Sequence, residues 1–307
     1  MIKKTNIVLF LSIILFTVLL FSPDSYVYAA GDYQVTVVVS QRIKPYMSVL
    51  EGMKQGWSTH KISAEVVFLL DSGGRDNLQR AEKGRITEQL IKDRPDLYVA
   101  VGPEAAQMVW GLPAGLARLY TAVLSPDDLL PDRSVHCGIS LRIPVQRQVR
   151  ELSMAFTNLK RIGLLFDKRN NNAFYEKAVA ASRQYGIEII PLQVESRDRI
   201  GRVLNENWQN IDGIWLIPDR TVISEKIIQY IIKQGIYNNK GVIGYNSYFI
   251  RSGAAFSFDF DYTALGRQTA RKSLAYLETR QCRIEPPEFK TVINHNVADK
   301  LGLEKGE

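Results

Sequence analysis

Cysteine and histidine are scarce in this sequence. The chain of 307 residues contains two cysteines, Cys137 and Cys282, and three histidines, His60, His136 and His295. Two cysteines allow one disulfide at most, which excludes a small scaffold held together by several disulfides. We interpret them as two separate buried thiols, with a single disulfide as the alternative. The histidines lie far apart and lack the spacing of metal ligands, so no metal site is expected.

Short catalytic motifs are also missing. The chain has no His-Glu-x-x-His, no Gly-x-Ser-x-Gly, no Walker loop and no Gly-x-Gly-x-x-Gly after a predicted strand. Neither cysteine lies in a local catalytic signature. The sequence therefore predicts no catalytic residue, no cofactor and a protein that is not an enzyme.

Charge is present but is not concentrated in one part of the chain. The net charge is +7, and no run of five basic residues occurs. Nucleic-acid binding is therefore not expected. A hydrophobic fraction of 46% and a charged fraction of 23% are typical of a globular protein.

The chain has one long hydrophobic run, at its N-terminus. Lys3 and Lys4 precede the apolar segment 7–21, and Pro23 follows it before the small-residue site at Ala29. This order is typical of a secretory signal peptide, and the run is shorter than the ~20 residues of a spanning helix. We predict a signal peptide over residues 1–29 and a periplasmic or secreted mature protein. An uncleaved membrane anchor is the alternative. A lipoprotein anchor is excluded because no cysteine lies near the cleavage site.

Short β-branched runs alternate with amphipathic segments along the rest of the chain. Runs of this kind without in–out alternation are typical of strands buried on both faces of a parallel sheet. The predicted strands are 35–40, 64–70, 97–102, 118–124, 137–141, 162–167, 188–194, 213–219, 241–246 and 254–259. The repeated strand–helix–strand order predicts an α/β fold with parallel sheets.

The strand pattern restarts halfway, which predicts two similar Rossmann-like lobes. Segments 96–106 and 212–222 match: in each, an Asp leads into an apolar strand and a proline begins the next helix. We expect the first lobe to comprise residues 30–140 plus about 252–280, and the second 141–251 plus about 281–307. The strand 254–259 is expected to return to the first lobe, so that several chain crossings form a hinge beside a cleft.

Polar side chains follow most predicted strands. Ligands of open α/β sheets bind outside the carboxyl ends of the strands, where helix N-termini also lie. The strand ends include the segments 40–42, 71–74, 102–104, 121–126, 167–172, 219–221 and 245–248. The predicted ligand contacts among them are Ser40, Arg42, Thr121, Asn171, Asn172, Asp219, Thr221, Asn246 and Ser247. For Ser40, Asn172 and Asp219, a helix-capping role is the alternative.

Aromatic and cationic residues near the same strand ends suggest the kind of ligand. Tyr46, Tyr245, Tyr248 and Phe249 offer flat faces for stacking, and arginine and lysine side chains lie beside Asp167 and Asp219. A small polar or zwitterionic ligand with an anionic or planar part fits such a lining. The alternative is a solvated charged rim with the aromatic rings packed inside the lobes.

Several segments resemble one protein family when they are taken in order. They are Arg161–Asp167, Asp212–Val222, Gly253–Asp261, Leu265–Ala270 and the closing Ile293-Asn294, Ala298 and Leu301–Leu303. The chain is similar to bacterial ABC-transporter substrate-binding proteins, in the group that includes aromatic-amino-acid binders. The resemblance implies the type I periplasmic-binding fold, with two lobes, three crossings and a ligand held between them.

The sequence departs from the family pattern at two places. Pro103 and Glu104 follow Gly102 where a hydroxyl residue is common, and Ala173 follows Asn172 where Ser or Thr is common. Both changes remove a hydroxyl that would contact a ligand carboxylate, so the resemblance does not identify the ligand.

The predicted function is capture of a small ligand of an amino-acid-like, zwitterionic or anionic kind and its delivery to an inner-membrane ABC permease. One alternative is a sensor of the same fold that reports ligand occupancy to a receptor or kinase. A second is an exported enzyme on a related two-lobed fold.

Overall fold

The computed structural model describes residues 33–70, 80–131 and 137–306. The predicted signal peptide and the strand-end loop 71–74 lie outside these ranges and stay predictions. Within the described ranges, no helix combines the length and the apolar character needed to cross a bilayer.

The described strands form two sheets of six. The first sheet has the order β11-β5-β4-β3-β1-β2, and the second has the order β12-β10-β9-β8-β6-β7. The pairs β1–β2, β1–β3, β3–β4, β6–β7, β6–β8, β8–β9 and β9–β10 are parallel, and β10–β12 is antiparallel. The predicted α/β fold with two parallel sheets is confirmed.

The strands and helices alternate along the chain. The strands are β1 Tyr33–Gln41, β2 Ile62–Leu70, β3 Leu97–Val101, β4 Arg118–Val123, β5 Gly138–Ser140, β6 Arg161–Phe166, β7 Glu188–Gln193, β8 Gly213–Leu216, β9 Gly241–Gly244, β10 Phe256–Asp259, β11 Ile284–Glu285 and β12 Lys290–Ile293. The helices are α1 Lys44–Trp57, α2 Arg80–Asp93, α3 Pro103–Trp110, α4 Pro126–Leu129, α5 Val145–Ala155, α6 Lys168–Ser182, α7 Ile200–Asn207, α8 Glu225–Tyr237, α9 Ser247–Arg251, α10 Tyr262–Thr279 and α11 His295–Lys300. Short 3₁₀ turns cover Arg183–Tyr185 and Arg197–Arg199.

The chain divides into two compact units. Unit 1 comprises Met1–Ile139 and Gly266–Ile284, and unit 2 comprises Ser140–Leu265 and Glu285–Glu307. The chain therefore passes between the units three times. The expectation that strand 254–259 returns to the first lobe was wrong, because β10 pairs with β9 in the second sheet. The return to unit 1 occurs inside α10 instead.

Each sheet is buried by apolar residues on both of its faces. In unit 1, Val37, Val38 and Val39 of β1 are at most 1% exposed, because β1 lies between β2 and β3 and is covered on both faces. In unit 2, Trp215 of β8 is fully buried against Phe174 of α6, with ring centroids 5.3 Å apart. These cores hold the strands so that their carboxyl ends lie along one edge.

The two cysteines are joined by a disulfide. The Cα atoms of Cys137 and Cys282 are 5.4 Å apart, and the two residues are separated by 145 positions in sequence. Our interpretation of two separate thiols was therefore wrong. Sequence spacing carries no information on a pairing that depends on β5 and β11 meeting at the end of the first sheet.

Candidate functional site

The second-unit edge contains most of the predicted contact residues. We define it as segments 167–172, 218–223 and 245–247, which follow β6, β8 and β9. These three strands are neighbours in the sheet, so their carboxyl ends bring the three segments together. Six of the nine predicted contacts lie in unit 2, and all six belong to this edge: Asn171, Asn172, Asp219, Thr221, Asn246 and Ser247.

Asp219 lies at the centre of this edge and is 1% exposed. Its Oδ2 accepts hydrogen bonds from the backbone N of Asp167 (2.9 Å) and from Nδ2 of Asn171 (2.7 Å). Its Oδ1 accepts from the backbone N of Thr221 (2.8 Å) and of Val222 (3.3 Å). A carboxylate has about four acceptor positions, and all four are used here. Asp219 therefore fixes the neighbouring loops.

Asp167 forms a second carboxylate centre beside the first. Its Oδ2 accepts from the guanidinium of Arg169 (2.6 Å) and from Oγ1 of Thr221 (2.7 Å), and its Oδ1 accepts from the backbone N of Arg169 (2.9 Å). The hydrogen bonds from Arg169, together with the one from Thr221, hold the pKa of the Asp167 carboxyl well below its usual range, although burial opposes this. Asp167 is therefore ionised at neutral pH.

Two arginines tie the loop after β7 to this network. Arg169 also donates to the carbonyl oxygen of Glu195. Arg197 donates to the carbonyl oxygens of Thr221 (3.2 Å), Ile223 (3.3 Å) and Arg220 (3.5 Å). The sequence offered no signal for Arg197, because its partners are backbone carbonyls more than twenty residues away.

Asn171 and Asn172 are held in different ways. Asn171 has φ −131° and ψ 22°, which interrupts α6 and turns its amide toward Asp219. Because a carboxylate only accepts, the NH₂ group of Asn171 must face Asp219 and its Oδ1 must point elsewhere. Asn172 donates to Oε1 of Glu176 one turn later (2.7 Å).

Asn246 and Ser247 begin α9. Oδ1 of Asn246 caps the helix by accepting from the backbone N of Tyr248 (3.0 Å), which leaves its NH₂ group pointing away from the cap. The hydroxyl oxygen of Ser247 accepts from Arg251 (3.1 Å), and its backbone N donates to Asp259 (3.2 Å).

The hydroxyl of Tyr245 was not among the predicted contacts, although its ring was expected to stack. The ring lies 4.6 Å from that of Phe249. Burial, with a smaller effect of the Asp219 charge, raises the pKa of Tyr245 to about 12, so the phenol stays protonated. Among the described residues, no hydrogen-bond partner accounts for this hydroxyl or for the NH₂ group of Asn246. Both are donors available at the edge.

The first-unit edge is built differently. We define it as segments 40–43, 102–104 and 121–124, which follow β1, β3 and β4. Ser40 is fully buried, and its Oγ accepts from the backbone N of Ala105 in the first turn of α3 (2.9 Å). Gly102 has φ 93° and ψ 171°, and a Cβ there would lie 2.6 Å from Ser40 Oγ and 2.7 Å from the Tyr46 ring. Only glycine fits this position.

Few backbone donors remain at the start of α3. The N–H of Gly102 bonds to the carbonyl of Thr121 (3.0 Å), Pro103 has none, and that of Ala105 is used by Ser40. The predicted contact Thr121 is fully buried and accepts a hydrogen bond from Oγ1 of Thr269 (2.9 Å). Ser40 and Thr121 thus stabilise unit 1 from within.

The exposed side chains of the first-unit edge are largely apolar. Arg42 places its guanidinium 3.7 Å from the centre of the Phe68 ring. Ile43 and Leu124 are 38% and 42% exposed, and Met47 in the first turn of α1 is 41% exposed. Ala122 has φ 58°, a strained conformation for a residue other than glycine, directly before Val123 and Leu124.

No group of three or more His, Cys, Asp or Glu side chains suited to a metal ion occurs in the described ranges. The acidic side chains of the second-unit edge are instead occupied by protein donors. The arrangement suits hydrogen bonding to a ligand more than chemistry on it.

Comparisons with known proteins concern the family and the fold. The sequence model of the family described as "ABC transporter substrate binding protein" matches residues 75–307. No curated protein matches the sequence.

Solved structures with the same fold cover most of the chain. A ligand-free, open substrate-binding protein with adhesive properties from Clostridium difficile has a TM-score of 0.70 at 16% identity, covering 90% of this chain and 96% of its own. A complex with L-Trp from Streptococcus pneumoniae has a TM-score of 0.57 at 19% identity, covering 89% and 95%. A conserved domain protein from Vibrio cholerae has a TM-score of 0.57 at 20% identity, covering 90% and 96%. At these identities the likeness concerns the fold.

Proposed function

Because the chain belongs to the ABC transporter substrate-binding protein family, as the resemblance in sequence predicted, we propose that it is an exported solute-binding protein. It captures a small ligand, performs no chemistry on it and delivers it to an ABC importer. The disulfide agrees with export, since disulfides persist in oxidising compartments. The signal peptide over residues 1–29 belongs to this proposal.

The observation that carries the proposal is which hydrogen-bonding groups of the second-unit edge have partners within the protein. The carboxylates of Asp167 and Asp219 accept hydrogen bonds from protein donors, whereas the hydroxyl of Tyr245 and the NH₂ group of Asn246 can donate to a ligand. A donor whose position is fixed by the fold binds an acceptor group at low entropic cost. The ligand group at this edge is therefore an oxygen acceptor, such as a carboxylate or a hydroxyl.

Of the nine predicted contacts, Asn246 remains a proposed direct donor, together with Tyr245. Asn171 could contact only a hydroxyl or another donor of the ligand, through its Oδ1, because its NH₂ group bonds to Pro218 and Asp219. Asp219 and Thr221 position the loop that these residues border, because their polar atoms are used within unit 2. Ser40 and Thr121 position the first-unit edge in the same way.

The first-unit edge supports an apolar part of the ligand. Ile43 and Leu124 are exposed there, Met47 is exposed in the adjoining first turn of α1, and most backbone donors at the start of α3 are already used. We therefore propose an amphipathic ligand that carries both an oxygen group and an apolar part. L-Trp, which a structural neighbour binds, is one compound of this class to test first.

A thermal-shift screen of the mature protein tests the proposal. The compounds are L-tryptophan and other amino acids, nucleosides, D-arabinose, D-allose and small anions. A ligand present at a hundred times its dissociation constant stabilises the native state by about 2.7 kcal/mol. We expect a hit among compounds with both an oxygen acceptor and an apolar part.

Two variants then locate the hit. Tyr245→Phe removes one hydroxyl and keeps the ring beside Phe249. The ligand should therefore stabilise this variant by about 1 kcal/mol less than it stabilises wild type, which appears as a smaller thermal shift. Tyr237→Phe is the matched control, because Tyr237 on α8 is 83% exposed and lies outside both edges. Equal loss in both variants, turnover of the bound compound, or uptake of the compound that is unchanged in cells lacking this protein would contradict the proposal.

A further inference from the structure

The disulfide joins two residues that shortly precede two of the three chain crossings. The chain leaves unit 1 between Ile139 and Ser140 and makes its third crossing between Ile284 and Glu285. Cys137 stands two residues before the first crossing, and Cys282 two residues before the third. The bond therefore joins two crossing segments that are far apart in sequence.

The crossing segments form only a short piece of sheet. β5 has three residues and β11 has two, and β11 is the outermost strand of the first sheet with β5 as its neighbour. Strand pairs of this length are not stable by themselves. Ile284 of β11 is 45% exposed, so burial contributes little to holding the strand in place.

One end of the disulfide is firmly anchored and the other is not. Cys137 is 4% exposed, and its carbonyl accepts from the backbone N of Tyr120 in β4 (3.0 Å). Gly138 lies so close to Tyr120 that a Cβ would meet its carbonyl oxygen. Cys282 is only partly buried, and Arg283 after it is exposed. The bond thus attaches a weakly held strand to a strongly held one.

We propose that the Cys137–Cys282 disulfide is a redox-dependent clamp that holds β11 against β5 and thereby fixes the first and third chain crossings. A dithiol reductant supplies two electrons and two protons. The S–S bond breaks, two thiols form, and the reductant becomes a disulfide. The partly exposed Cys282 gives a small reductant access to the bond. In the reduced protein, β11 separates from β5 while the rest of the first sheet stays formed.

Hydrogen–deuterium exchange with peptide-level mass spectrometry tests the clamp without any ligand. The oxidised protein is compared with protein reduced under native conditions and with the Cys137→Ala/Cys282→Ala double variant. We expect amides of residues 138–140 and 284–285 to exchange at least about tenfold faster in both states that lack the disulfide, because local opening then requires no covalent change. The strand β3 in the same sheet is the internal control and should keep its protection.

Two outcomes would overturn the clamp. Unchanged exchange at β5 and β11 would show that strand pairing alone holds the crossings. Faster exchange in β3 to the same extent as in β11 would show that the bond stabilises unit 1 as a whole. If the double variant fails to fold, the single variant Cys282→Ser leaves the anchored Cys137 in place and gives the same comparison. None of these outcomes depends on the proposed ligand site.

Discussion

The loops after β3 and β8 begin alike in sequence and are built differently. Gly102-Pro103-Glu104 follows β3, and Ile217-Pro218-Asp219 follows β8. Pro103 is the first residue of α3, as predicted. Pro218 does not begin a helix: a hydrogen-bonded turn from Asp219 to Ile223 intervenes, and α8 begins at Glu225 after the cap of Ser224. The prediction that both prolines begin helices was wrong for the second loop.

The difference comes from where each acidic residue points. Glu104 is exposed in the first turn of α3, whereas Asp219 is 1% exposed and accepts four hydrogen bonds. A buried carboxylate with four donors organises the surrounding backbone, while an exposed one leaves the backbone to organise itself. The first loop is accordingly fixed by glycine geometry and by Ser40. Substitutions in each loop can test this contrast.

The largest effect is expected from Asp219→Ala. The variant leaves three backbone N–H groups and the NH₂ group of Asn171 without their acceptor, so the free energy of unfolding of unit 2 should fall by about 4 kcal/mol. Urea unfolding with hydrogen exchange assigned to each unit measures this. The matched control is Glu104→Ala, for which we expect a change within about 0.5 kcal/mol. Equal effects of the two variants would remove the contrast between the loops.

The next effect concerns the geometry of the first loop. Gly102→Ala forces a side chain into a backbone conformation that only glycine adopts, and its Cβ would lie 2.6 Å from Ser40 Oγ. We expect unit 1 to lose about 3 kcal/mol. Gly84→Ala is the control, because a Cβ at this position of α2 meets nothing within 4 Å and should stabilise the helix by up to about 1 kcal/mol. Thermal unfolding of both variants measures these changes, and a Gly102→Ala protein as stable as wild type would contradict the geometry.

The acid sensitivity of the two loops should also differ. The pKa of Asp167 is lowered in the folded state, so its ionised form stabilises the protein above the unfolded-state pKa of about 3.9. This contribution is lost as the pH falls through the folded-state pKa. The free energy of unfolding of wild type should therefore exceed that of Asp167→Asn by about 2 kcal/mol at pH 7, and this difference should shrink below about pH 4. The loss in free energy of unfolding caused by Gly102→Ala serves as the control and should not change with pH.

Much of this architecture was predictable from sequence. Buried β-branched runs such as Val35–Val39 identified the parallel strands, and the restart after Arg161 identified the second sheet. The position of Phe256–Asp259 was not predictable, because its neighbours are chosen by tertiary packing against β9 and β12. The pairing of the two cysteines was not predictable for the same reason.

Roles within the candidate site were less predictable than its position. The strand-end rule placed Asp219 and Asn246 correctly on one edge, since it depends only on strand order. Whether a polar atom is free depends on partners that are distant in sequence, such as Asp167 for Thr221 or Thr269 for Thr121. A single sequence carries no record of these contacts. It also gave no reason to prefer the hydroxyl of Tyr245 over its ring.

The smallest effect separates two kinds of helix cap. Ser40 caps α3 from a strand 65 residues away, at 2.9 Å and fully buried, whereas Ser224 caps α8 locally at 3.4 Å. Ser40→Ala leaves the N–H of Ala105 buried without a partner, so we expect the free energy of unfolding to fall by about 1.5 kcal/mol. For Ser224→Ala we expect a fall of about 0.5 kcal/mol, because the N–H of Ile227 that loses its partner is in a less buried residue. Denaturant midpoints of the two variants provide the measurement. A larger loss for Ser224→Ala would mean that Ser40 is not the cap that fixes the first loop. Its hydroxyl would then be available to a ligand, and the two loops would have more in common than their hydrogen bonds indicate.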